Sequence, residues 1–179
     1  MTNDSFTRQI NENAKLLREL HDRIGETYRK QPHGPEHSAA CAEFHNQYDQ
    51  LAFPGGMQRA LARLLEKDKS IIEPTIKYLQ ADPMYFYSGY AKVKMIRRLK
   101  HCPLTPGQRK RLAELLIHSV DHIKHREYQE YARLAHLIPL PNVKKAMQQR
   151  VAKCDRIIAS RAEYVLNVLS HSLKNKPLR

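Results

Sequence analysis

Prolines and glycines cut this chain into helix-length segments, and within each segment the apolar residues recur every three or four positions. Alternation at every second position, the mark of a half-buried strand, is absent. A chain patterned this way is restricted to an all-α architecture. Phe6, Ile10, Leu17, Leu20 and Ile24 form the stripe of an amphipathic N-terminal segment over 1–31, helical from about 5 to 30, with Asn13 interrupting the stripe. The PHGP break at 32–35 ends it, and 36–173 form a helical body.

Within that body, Cys41, Phe44, Tyr48 and Leu51 mark the buried side of a second helix, which stops at Phe53-Pro54-Gly55-Gly56. Leu61, Leu64 and Leu65 belong to a third helix, and Ile72, Ile76 and Leu79 to a fourth, with Pro74 near its start. Asp82-Pro83 reads as N-cap and first position of a fifth helix reaching about His101. Thr105-Pro106 repeats that signal for a sixth. A seventh lies near 126–138, and a long last helix runs from Pro141 to about Leu173, leaving a frayed tail at 174–179.

About eight helices in a single domain, 1–179, follow from this pattern. Starts near Ser70, Pro106 and Pro141 lie at intervals matching a stack of helical hairpins, resembling α-solenoid (HEAT-like) repeats. The similar LARLL at 61 and LAELL at 112 fall off that interval, so an irregular helical bundle is the other architecture the pattern allows.

Composition narrows function chiefly by exclusion. Six glycines leave no Gly-rich phosphate loop. Cys41, Cys102 and Cys154 are far apart and odd in number, without metal-ligand spacing, and read as buried thiols of a reducing compartment. No apolar run approaches the ~18 residues of a membrane span, and the N-terminus lacks a signal-type apolar core, so the expectation is a cytoplasmic protein with no membrane partner. No nucleophile motif marks any serine or cysteine, and no cofactor is implied.

Charge is the positive signal. The formal net charge is +13, and it is concentrated in two windows. Residues 83–113 carry eight Lys/Arg and no acid, and residues 143–179 carry nine against two. Arg97, Arg98 and Lys100 fall at a helix end, where cations complement the macrodipole. Arg109, Lys110 and Arg111 fall at a helix start, as do Lys144 and Lys145, where acids are preferred. Exposed N–H groups joined by cations suit an anion. If the helix starts share an edge, these eight residues form one ridge suited to a phosphate backbone. The fifth helix is apolar nearly all round in its first half, which predicts an interior position. Its aromatic cluster MYFYSGY, with Tyr85 and Tyr87, could alternatively supply base stacking.

Glu114, His118, Asp121, His122 and His125 share one face of the sixth helix, opposite Leu112, Leu116, Val120 and Ile123. His118, His122 and His125 are the candidates for a metal, yet no HExxH or ExxH pattern accompanies them. Glu114 with His118 and Asp121 with His125 are ordinary i, i+4 pairs. The resulting expectation is a non-enzymatic module that contacts nucleic-acid phosphates with little sequence specificity. A scaffold for an acidic protein, or one that pairs through the N-terminal helix as a homodimer, is the second reading. A His/carboxylate metalloenzyme is the third.

Overall fold

The computed structural model of the protein describes residues 5–122, 127–138, 141–153 and 155–174. Among them are nine α-helices, one 3₁₀ turn and no strand. Among helices with both ends described, lengths range from 18 residues to 9. The fold is an all-α bundle. None of the described helices is long and apolar enough to cross a membrane. The chain divides into two compact units, Met1–Arg98 and Leu99–Arg179.

The first unit contains α1 (Ser5–Lys30), α2 (Pro35–Ala52), α3 (Met57–Leu65), α4 (Lys69–Ala81) and all but the last residue of α5 (Ser88–Leu99). α1 and α2 pack along their length, and α4 packs against α1. Ile10, Ala14 and Leu17 are the buried stripe of α1, and Asn13 is buried beside them. A chain of rings runs through the unit: Phe6 meets Phe53, Phe53 meets Tyr78, and Tyr48 meets both Phe44 and Tyr85, with centroids 5.4–6.1 Å apart. Edge and tilted contacts of this kind add to the burial of the rings themselves.

Local signals account for the turns. Gly56 has φ +94, and a Cβ there would sit 2.9 Å from Asp49 Oδ2. Asp49 needs that space, because its Oδ1 accepts the Gln58 N–H at 2.8 Å at the start of α3. Asp68 caps α4 by accepting the Ser70 N–H at 2.8 Å and also receives the Arg63 guanidinium at 2.8 Å. Bonds from Ser70 and then Arg63 lower its carboxyl to about 2. This cap starts α4 at Lys69, one residue before the expected start, so Pro74 is its sixth residue.

Asp82-Pro83 does not start a helix. Asp82 instead ends α4 in the left-handed region, φ +46, with its N–H donated to the Tyr78 carbonyl. An aspartate tolerates that conformation, and here the C-cap role wins over the N-cap role. α5 therefore begins five residues later, at Ser88, whose Oγ accepts the Tyr85 N–H at 3.3 Å.

The second unit holds α6 (Pro106–His122), α7 (Glu127–Arg133), the 3₁₀ turn Leu134–His136, α8 (Pro141–Lys153) and α9 (Arg156–Lys174). Thr105 and Gln108 form a capping box: Thr105 Oγ1 accepts the Gln108 N–H at 3.3 Å, and Gln108 Oε1 accepts the Thr105 N–H at 3.0 Å. Leu112, Leu116, Val120, Tyr131, Leu134, Val143, Met147 and Val165 are buried. The long last helix of the sequence reading is a hairpin, α8 packed on α9. Asp155 restarts the chain by accepting the N–H groups of Ile157 and Ile158 at 2.8 and 2.9 Å. Cys154, Ile123 and residues 175–179 of the expected tail lie outside the described residues.

Candidate functional site

The eight cations of the expected ridge fall in two units, Arg97 and Arg98 in the first and the other six in the second. Structural contacts engage Lys100 and Arg109. Lys100 donates to Glu130 Oε2 at 3.1 Å, and Glu130, which is buried, also receives Arg133. Arg109 donates to the Leu104 carbonyl at 3.4 Å and the Leu137 carbonyl at 3.1 Å. Arg111 is half-buried. Lys110, Lys144 and Lys145 are exposed, and among the described residues no salt bridge holds them.

Two contacts orient the helices that carry these lysines. Arg109, at the start of α6, reaches the carbonyl of Leu137, just after the 3₁₀ turn. Near the other end, Arg150 of α8 forms a two-pronged pair with Asp121 of α6, at 2.7 and 2.6 Å. α6 is thereby tied to α8 at Asp121 and to the segment after the 3₁₀ turn at Arg109. Neither helix has an acid in its first turn. Hydrogen bonds from Arg150 hold the Asp121 carboxyl below the usual carboxylate range.

In the first unit the aromatic cluster departs from the interior position expected of it. Ala91, Met95 and Ile96 are buried, but Tyr87 is 52% exposed and Tyr90 69%. The reason is the late start of α5. Phe86 and Tyr87 lie on the loop before it, and Tyr87 adopts φ +70. A tyrosine held there costs roughly 1–2 kcal/mol of backbone strain. Only Tyr85 turns inward: its hydroxyl donates to the Ala52 carbonyl at 3.1 Å and meets the Tyr78 hydroxyl at 2.5 Å. Burial raises the pKa of that phenol.

The exposed rings border a cleft of about 350 Å³, lined by Tyr48 of α2, Met57, Gln58 and Leu61 of α3, and Tyr87, Tyr90, Ala91 and Lys94. Tyr87 packs against Phe86 at 4.1 Å and Tyr90 at 5.7 Å between centroids. Burial, then Tyr87 and Asp49, raise the pKa of Tyr48. The charge of α5 is sorted beside it. Lys92 is wholly buried and paired with Asp82 at 2.6 Å, whereas Lys94 is exposed on the cleft rim and Arg97 is exposed one turn further along. The MYFYSGY cluster signals half of this cleft. The contribution of Tyr48, Met57 and Gln58 depends on how α2 and α3 pack, which no local pattern reveals.

The other candidates gather less. His118 and His122 are exposed, with centroids 4.3 Å apart, and His125 lies outside the described residues. Among the described residues no group of three or more His, Cys, Asp or Glu could hold a metal ion. Asp121 pairs with Arg150 on another helix, a contact that i, i+4 spacing does not foresee. Cys102 is buried, but Cys41 is only half-buried, because it lies at the edge of the α1–α2 pair with Sγ 3.6 Å from His37 Nε2.

No family model, no curated protein and no solved structure matches the chain.

Proposed function

We propose that this protein is a non-enzymatic binding module whose basic surfaces contact nucleic-acid phosphates with little sequence preference. The observation that carries this reading is the sorting of the cations. Lys92 and Lys100 are held by carboxylates and Arg109 by carbonyls, while Lys94, Lys110, Lys144 and Lys145 are exposed. The last three lie in the first two turns of α6 and α8, where the helix dipoles add to their positive field. Exposed cations at helix starts gain nothing in folding stability, and a polyanion gives them a use. Phosphate contacts position a nucleic acid without reading bases, which matches the lack of any base-reading motif.

The test is fluorescence anisotropy with a labelled strand and a labelled duplex of mixed sequence across a salt series. Binding is expected for both, with affinity falling steeply as salt rises, because each neutralised phosphate releases a counterion. Absence of binding to either probe at low salt contradicts the proposal. Equal binding of poly-glutamate would redirect it to an acidic protein partner.

A further inference from the structure

Resting on the phosphate-binding reading, we propose that the first-unit cleft is a base site for single-stranded nucleic acid. An unstacked base lies against Tyr87 and Tyr90, and Lys94 meets the adjoining phosphate. Four observations converge on this occupant. The cleft volume, about 350 Å³, lies at the small end of ordinary ligand sites. Its exposed rings come from side chains that sit next to one another, with Tyr87 and Tyr90 centroids 5.7 Å apart. Stacking on such rings is tolerant of base identity, because every base offers a π-face.

The second observation is chemical variety in a small space. Met57 and Leu61 give an apolar wall, and the Gln58 amide can donate to and accept from a base edge. An acidic peptide would find the cation but leave the rings without a partner. The third is charge. Residues 83–98 include four Lys/Arg and no acid, and Lys94 lines the cleft. The acid beside Tyr48, Asp49, is engaged by the Gln58 N–H at the start of α3, where the helix dipole offsets its charge.

The fourth is the backbone of Tyr87. A bulky residue at positive φ is an outlier, and its strain keeps a large ring half in solvent. Folding alone favours glycine at that position. The ring packs on Phe86 and Tyr90 and leaves half of its surface open to a partner from outside the chain.

The full-length protein is assayed by anisotropy with labelled oligo-dT and with a labelled duplex of equal length, for wild type, Tyr87→Gly, Tyr90→Ala and Lys110→Glu/Lys144→Glu. Wild type is expected to favour the single strand, by about tenfold. Tyr87→Gly and Tyr90→Ala should each weaken single-strand binding about five- to tenfold and leave duplex binding within about twofold. Lys110→Glu/Lys144→Glu should weaken both probes alike. Tyr87→Gly is also expected to keep or raise the melting temperature, which separates loss of a ligand contact from loss of fold. Should Tyr87→Gly melt lower, Tyr90→Ala carries the test, since its ring is the more exposed. Unchanged single-strand binding in Tyr90→Ala, or equal losses on strand and duplex, overturns the base site and leaves the phosphate reading standing. If wild type binds neither probe, both fall.

Discussion

α5 and the starts of α6 and α8 each carry exposed cations, and they differ in what surrounds the charge. On α5, exposed Lys94 borders a cleft with two exposed tyrosines, and its neighbour Lys92 is buried against Asp82. In the second unit, Lys110, Lys144 and Lys145 are exposed near the starts of two helices, and Lys100 and Arg109 are tied into the fold. Both regions therefore mix structural and exposed cations. Composition alone counts them equally. The neighbours separate them: a carboxylate at bonding distance marks a structural cation, and an exposed ring beside the charge marks the cation proposed to contact a ligand.

That comparison breaks first at Lys92. Asp82→Gly suits the positive φ of its position but strands a buried ammonium, and should destabilise the protein by about 2–3 kcal/mol in urea unfolding. Lys92→Met removes the charge together with its need for a partner, and should cost less, about 1 kcal/mol. Equal costs would mean that Lys92 is held by its stem and not by its charge.

The structural electrostatics of the second unit are tested at Asp121. Asp121→Asn should cost about 1–2 kcal/mol at neutral pH by removing half of a two-pronged pair. Because the folded carboxyl titrates below its ordinary value, its stabilisation is present above about pH 4 and is lost as pH falls through the lowered pKa. The variant should accordingly show a flatter loss of stability over that acid range, measured as melting temperature against pH. A parallel acid limb in both proteins would remove Asp121 from the account.

Smaller, and confined to binding, is the effect of Lys110→Glu/Lys144→Glu. Affinity for a labelled duplex should drop by about tenfold at low salt, with a shallower salt slope and an unchanged melting temperature. An unchanged slope would place the phosphate contacts elsewhere.

The fold was largely legible because helix signals are local. The stripe from Phe6 to Ile24 and the Thr105-Pro106 start both correspond to helices at those positions. The errors have local causes as well. Asp82 serves equally as an N-cap or as a left-handed C-cap, and only the end of α4 decides between them. The last two helices read as one because their apolar repeat runs across Cys154-Asp155 without a proline or glycine to divide it. The site was legible in part. The charge windows and the aromatic cluster stand out in the sequence, but the pairing of Lys100 with Glu130, thirty residues away, does not. Nor does Tyr48 declare that it faces Tyr87 and Tyr90. Long-range packing decides which cations remain exposed, and a linear pattern carries no record of it.

The most direct measurement crosses two lysines with two readouts. Lys94→Ala and Lys100→Ala are each examined for melting temperature and for affinity to a labelled single strand. Lys100→Ala should lower stability by about 1 kcal/mol, by taking one donor from buried Glu130, and leave affinity unchanged. Lys94→Ala should leave stability unchanged, weaken affinity about three- to tenfold and reduce the salt slope by about one. The reverse assignment, or equal effects of both substitutions on both readouts, would contradict the division of the cations into structural and ligand-contacting groups.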